Sequence, residues 1–349
     1  MIQRLRWVDN LKGFLALLVV LGHTVTWSGL AAHMDVFQFI YFYISSFHMS
    51  AFFAVSGYLY GRIAENSLQE NKTCLKWTKV VKRTIDLAVP SVVCMGVTFC
   101  VVRTLGKFSL AQAISVSKFW FVWVIIAIDI GHLFLYFIIK KEETVFLILS
   151  VLTVLFGFLF NTLGKMFGYF LLYELGVSLG RHLTKESEKK FFNYQYGRIA
   201  LIITSIAIFF GYVLGGGAIV LNTLYKIPIG IMMSYSLFSI FLAVPSVALF
   251  ETSGKFTLQI YFFQVVTTAW IKTYTQNIPL WINCIVFIVI TWIDYRLPCL
   301  LATKYKNTKY YNKLFCASKY IFWQKNSTVQ GYLALHFGLG GSENEEQNR

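Results

Sequence analysis

Polarity along the chain follows one dominant pattern: long apolar runs separated by short polar stretches, most of them basic. A bilayer core of roughly 30 Å is crossed by about 17–25 apolar residues in helix. Ten runs meet or approach that length: 11–30, 36–61, 85–102, 120–139, 145–160, 164–180, 199–214, 229–250, 256–274 and 279–301. The fifth, sixth and seventh are short. The pattern predicts an all-α, polytopic integral membrane protein with about ten transmembrane helices. Arg4, Arg6 and Lys12 precede the first run as in a signal peptide. No convincing small-residue cleavage site follows and nine more runs do, so the first run reads as a membrane helix.

Composition strengthens this reading. Hydrophobic residues make up 57% of the 349 residues, against about 45–50% in ordinary globular domains. Charged residues make up 13%, about half the soluble norm, and the mean hydropathy is +0.61. The polar shell that a soluble protein of this length needs is missing.

The formal charge of +15 then needs its own explanation. An even number of spans puts both termini on one side. With the N-terminus inside, only Arg103, Lys107, Lys118, Lys165, Lys226 and Lys272 of the 31 Lys and Arg fall outside. Such a bias orients membrane proteins with the basic loops cytoplasmic. The charge therefore fits topology and attraction to anionic lipid, with no need of nucleic acid. A polyanionic cytosolic substrate is the sharper alternative. Residues 1–301 form the expected transmembrane domain. Residues 302–349 form a cytoplasmic tail, basic and aromatic to about Trp323, then polar.

The six cysteines show no CxxC or metal-ligand spacing, so neither a disulfide framework nor a metal site is expected. Phosphate-binding glycine loops and a nucleophile elbow are absent as well.

Ionisable groups inside a membrane are candidates for function. His23 lies about 18 Å along the first run and His48 about as deep in the second, so the two can meet if those helices pack together. A neutral imidazole at that depth can serve as a general base, or can simply bond another helix. Lys12 shares a helix face with His23. Ser56 and Gly57 let a backbone or a ligand come close. Asp129 and His132 are helix neighbours and can pair locally. Glu174, near the middle of the sixth run, needs a partner, a proton or water. Asp86, Asp294 and Arg296 read as interfacial anchors. Trp27, Trp120, Trp270 and Trp281 read as an aromatic belt.

VDNLKGFLALLVVLGH, followed by FHMSAFFAVSGYLYG, resembles the opening of the membrane acyltransferase 3 family. Its branch of fucose 4-O-acetylase-like and capsular polysaccharide O-acetyltransferases is the most similar. Asp9, Lys12, Gly13 and His23 match the first-helix pattern, with Lys12 where many members have Arg. Phe52, Phe53, Ser56, Gly57 and Tyr58 match the second. Arg83 to Pro90, the Trp120–Phe121 pair, and Gly254, Thr257, Leu258 and Tyr261 also fit, while Gln264 stands where a histidine often is.

The resemblance implies transfer of an acyl group, commonly acetyl from acetyl-CoA, to a hydroxyl of a surface polysaccharide or its lipid-linked sugar precursor. His23 would be the essential histidine, with His48 as its acid–base or positioning partner. Lys12, Arg62, Lys82 and Arg83 would hold the donor's phosphates. Asp9, Ser56, Tyr58, Trp120, Asp129 and Glu174 would contact substrate or support the site. Acetyl-CoA is a substrate here, and no tightly bound cofactor is expected. The composition fits an AT-rich bacterium, hence a cell membrane location. A transporter or flippase for a lipid-linked sugar or small metabolite is the alternative, since ten spans with buried charges fit it too. Against it, no repeat is evident and prolines within the spans are few.

Overall fold

The structure is a computed structural model that describes residues 5–68, 74–104, 120–139, 141–159, 161–215, 223–274 and 278–317. All regular structure among them is helical. In chain order the helices are α1 (Arg6–Trp27), α2 (Leu30–His33), α3 (Asp35–Leu68), α4 (Cys74–Thr104), α5 (Trp120–Ile139), α6 (Glu142–Leu159) and α7 (Asn161–His182). Then follow α8 (Lys185–Phe191), α9 (Tyr194–Gly215), α10 (Thr223–Ala243), α11 (Ala248–Lys255), α12 (Thr257–Tyr274), α13 (Leu280–Tyr305) and α14 (Lys309–Phe315). The apolar runs fall on helices, with 229–250 divided between two of them. Among the described residues, six helices are long and apolar enough to cross a membrane.

The molecule is apolar on its outside. Ile202, Ile206 and Phe210 of α9, and Ile288 and Trp292 of α13, are exposed, while Thr204, Thr291 and Asp294 on the same helices are buried. In water such a surface would drive association. In lipid it matches the solvent, because backbone polar groups are satisfied within each helix.

Helix packing relies on small residues. Gly57 and Gly61 of α3 face α7, and Gly176 and Gly180 of α7 face α3. A Cβ on Gly57 would lie 1.9 Å from the Tyr173 carbonyl oxygen, and one on Gly176 would lie 2.1 Å from that of Ala54. Two glycine pairs spaced by four thus bring the backbones into direct contact, as small residues do where helices cannot gain from expelling water. The start of α1 crosses α11 in the same way. A Cβ on Gly13 would lie 2.0 Å from Phe250 O, and one on Gly254 would lie 1.8 Å from Asp9 O. Asn10 Oδ1 accepts from Val247 N at 3.2 Å, and the Tyr295 hydroxyl donates to Gly13 O at 3.0 Å.

Some expected boundaries move. The 229–250 run is not one span: α10 stops at Ala243 and α11 starts at Ala248. Pro245 has no N–H to continue the helix and pushes Val244 away from helical geometry. At 34 residues α3 is about 51 Å long. That exceeds the bilayer core, so its end projects on the side of the basic loops. The last long helix runs to Tyr305, past the expected boundary at 301. Beyond it α14 packs back on the bundle, with Gln259 Nε2 donating to the Tyr311 hydroxyl at 2.6 Å. Residues 318–349 of the expected tail lie outside the described residues.

Candidate functional site

A cavity of about 170 Å³ opens where α1, α3, α4, α5 and α12 meet. Lys12, Ala16 and Val19 line it from α1, and Met49, Phe52 and Ser56 from α3. Arg83 and Leu87 come from α4, Phe121 from α5, and Tyr261 and Gln264 from α12. The walls are mostly apolar, and the two cations sit towards the end of the basic loops. Phe121 joins the wall together, its ring 5.6 Å from that of Phe52 and 5.9 Å from that of Tyr261.

The spacing along α1 carries the stripe beyond the cavity. Lys12, Ala16, Val19 and His23 follow steps of four, three and four and share one face. His23 therefore lies one turn past Val19, about 16 Å along the axis from Lys12. On α3, His48 precedes Met49 and lies one turn from Phe52. The histidines converge: His23 and Lys226 both lie near enough to His48 to bear on its charge. His48 Nδ1 is 2.7 Å from the Ile44 carbonyl oxygen. A carbonyl can only accept, so Nδ1 carries the proton and Nε2 presents a lone pair. His23 has no hydrogen-bond partner among the described residues and is partly buried.

The other polar groups sort into two clusters. Beside the cavity, Arg83 Nε lies 3.2 Å from Asp129 Oδ2, at ion-pair distance although not aligned as a hydrogen bond. Asp129 Oδ1 accepts from the Tyr173 hydroxyl at 2.6 Å. Asp129 and Tyr173 are both fully buried, so Arg83 is held by groups inside the bundle. Next to them His132 Nδ1 meets Glu174 Oε1 at 2.6 Å. Glu174 thus bonds a histidine, but neither of the two beside the cavity. Asp129 reaches across helices to Arg83 and Tyr173.

The second cluster lies at the foot of α3. Tyr58 donates to Glu188 Oε1 at 2.6 Å, Arg62 Nε donates to the Tyr58 hydroxyl at 2.9 Å, and Arg62 also pairs with Glu188 Oε2. Arg62 and Tyr58 therefore fasten α8 to α3 and do not line the cavity. Lys82 is exposed beside Arg83 on α4, and it too is outside the lining. Asp9 is buried at the α1–α11 crossing, and Trp120 is 45% exposed at the outer wall. Of the twelve expected site residues, the structure gathers Lys12, Ser56 and Arg83 around the cavity, with His23 and His48 one turn beyond.

Several participants escape the sequence. Glu188 is one of two acids in a basic loop; Glu186 pairs with Lys190 at the surface, and nothing in the sequence separates the two. Tyr173 adjoins Glu174 in sequence yet bonds Asp129, while Glu174 bonds His132. Asp294 corrects the expectation of an interfacial anchor: it is fully buried and accepts from the Thr267 hydroxyl at 2.7 Å, because α13 turns its polar stripe inward.

No curated protein and no solved structure matches the chain. A family model described as an acyltransferase domain matches residues 5–295, which include every cavity residue and both histidines. A bundle of apolar-faced helices around a basic, histidine-bearing cavity suits that description, and a match over most of its length makes the chain a member of the acyltransferase 3 family of membrane proteins.

Proposed function

We propose that this acyltransferase moves an acetyl group from acetyl-CoA to a hydroxyl of a surface polysaccharide or lipid-linked sugar, as in the fucose 4-O-acetylase-like branch. It does so in a bacterial cell membrane with the basic loops and both termini in the cytoplasm. One observation carries the reading. Lys12 and Arg83 stand in a single cavity, and the stripe that holds Lys12 leads in three turns to His23, beside His48.

CoA is a polyanion with a long, thin thioester arm. Lys12 and Arg83 attract its phosphates, and exposed Lys82 adds charge at the entrance. The arm runs between α1 and α3 along the apolar walls, which bring the thioester to the histidines and exclude water that would hydrolyse it. His23 takes the proton of the acceptor hydroxyl. The oxygen attacks the thioester carbonyl, a C–O bond forms, the C–S bond breaks, and CoA leaves as the thiol after taking up a proton. His48, with Nε2 as acceptor, orients the acceptor hydroxyl or relays its proton. Ser56 supplies a hydrogen-bond donor to the oxyanion. Tyr58 is not used, since its hydroxyl already serves Glu188.

The test is His23→Ala in cells, with O-acetyl groups on the surface glycan measured by NMR. Loss of the acetyl signal at normal protein level is expected. An unchanged signal would refute the catalytic role of His23.

A further inference from the structure

Buried polar atoms without partners are rare in folded proteins, and each asks for an explanation. Four side-chain atoms of α12 and α13 are of this kind: Gln264 Oε1, Asn283 Oδ1, Thr291 Oγ1 and Asp294 Oδ1. Asn283, Thr291 and Asp294 fall within an arc of about 80° on α13 at ~3.6 residues per turn. The opposite face of the same helix is apolar and exposed, with Trp281, Ile285, Ile288 and Trp292. The polar stripe therefore faces into the bundle.

The stripe is connected at both ends. At one end the Thr267 hydroxyl lies 2.7 Å from Asp294 Oδ2 and 2.9 Å from Gln264 O. Gln264 lines the cavity and holds α1 through Val19 O at 3.5 Å. At the other end Asn283 Nδ2 donates to Ser28 O at 2.7 Å, where α1 has ended on the side away from the basic loops. Asn283 and Asp294 are eleven residues apart, about 16 Å along the axis.

The chemistry of the unpartnered atoms is uniform. The amide oxygens of Gln264 and Asn283 accept only. Thr267 has one proton and three oxygens in reach, of which Phe263 O is the farthest at 3.4 Å. Either it donates to an ionised Asp294, or the carboxyl proton sits on Oδ2 and Thr267 donates to Gln264 O. In both cases Asp294 Oδ1 remains an acceptor. Three acceptors and one hydroxyl in a row call for O–H donors, and acceptor-only oxygens disfavour anions.

We infer that this stripe is a second site, a hydroxyl-binding track that leads from the side away from the basic loops to the histidine-bearing cavity. Its occupants are the hydroxyls of a neutral sugar entering for transfer, or water that the sugar displaces. Donor and acceptor would then approach the histidines from opposite faces of the membrane. The assignment of sugar rests on the acyl-transfer reading above; the occupation of the track by O–H groups does not.

The test uses the full chain in lipid nanodiscs. Hydroxyl-radical footprinting reports bound water on neighbouring side chains, here Phe287, Tyr295 and Pro298 in the 283–298 peptide. That peptide should be labelled well above the lipid-facing 199–210 segment of α9. Protection by methyl fucoside assigns the track to sugar hydroxyls, and labelling that methyl fucoside leaves unchanged assigns it to water. Labelling no higher than in α9 would overturn the inference, whether or not the protein transfers acetyl groups. Thr291→Val provides a near-isosteric check. It should raise the KM for methyl fucoside about tenfold, the loss of one hydrogen bond. An unchanged KM with a higher melting temperature would mean the hydroxyl was dry, and would also overturn it.

Discussion

Replacing Gly57 with alanine perturbs the contact on which the cavity's support depends. The added Cβ would lie 1.9 Å from the Tyr173 carbonyl oxygen. Carbon and oxygen tolerate about 3.3 Å, so α3 and α7 must part by about 1.4 Å. Backbone cannot yield as a flexible side chain can. The reciprocal approach of Gly176 to Ala54 opens with it. Tyr173 rides on α7, and its 2.6 Å bond to Asp129 on α5 stretches towards about 4 Å, beyond hydrogen-bond range. Overpacking costs about 1–3 kcal/mol, and a bond to a charged group adds about 1.5–3 kcal/mol. A loss of about 2.5–6 kcal/mol lowers the melting temperature by roughly 3–8 °C for a chain of this size. Thermal unfolding in nanodiscs, followed by tryptophan fluorescence, measures it. Gly96→Ala is the control, since nothing lies within 4 Å of its added Cβ. It should be neutral or stabilise by up to about 1 kcal/mol through helix propensity. A Gly57→Ala protein that melts with the wild type would refute the close α3–α7 crossing.

Asp129→Asn removes the carboxylate facing Arg83. With the arginine side chain 32% exposed, the cost should be about 2–4 kcal/mol in thermal unfolding, below that of a fully buried pair. The double variant Arg83→Met, Asp129→Leu should regain much of that stability while the KM for acetyl-CoA stays raised; normal donor KM would contradict the placement of Arg83. Glu188→Gln weakens the α8 fastening by about 1–3 kcal/mol and should speed limited proteolysis between 181 and 198. An unchanged digestion rate would mean that α8 is held by other contacts.

The class of fold was legible because lipid imposes a simple rule: apolar stretches of this length become helices. The break at Pro245 was marked by its residue type, yet the apolar residues around it read as one continuous run. Lys12, His23 and His48 stood out because ionisable groups are scarce in such runs, and their depth followed from helix rise alone. The partners were not legible. Asp129 and His132 are neighbours on α5, but which of them meets Arg83 and which meets Glu174 depends on how α4 and α7 cross it. Arg62 and Arg83 look alike in sequence. Only the position of Glu188 on a short helix 126 residues away separates a fastening residue from a cavity cation. Asp294 was misjudged because depth counted along one helix says nothing of which face turns inward.

The most direct measurement of the account is steady-state acetyl transfer by the purified full chain in nanodiscs, with Arg83→Gln and His23→Ala compared against wild type. The two residues lie at opposite ends of one path and should fail differently. Arg83→Gln should raise the KM for acetyl-CoA about tenfold or more with kcat largely kept, as loss of a charged contact to phosphate does. His23→Ala should lower kcat by about 10²–10⁴ with the donor KM little changed. If His23→Ala turned over at the wild-type rate, or both variants altered only donor KM, a path from a cationic donor site to a histidine base would be contradicted.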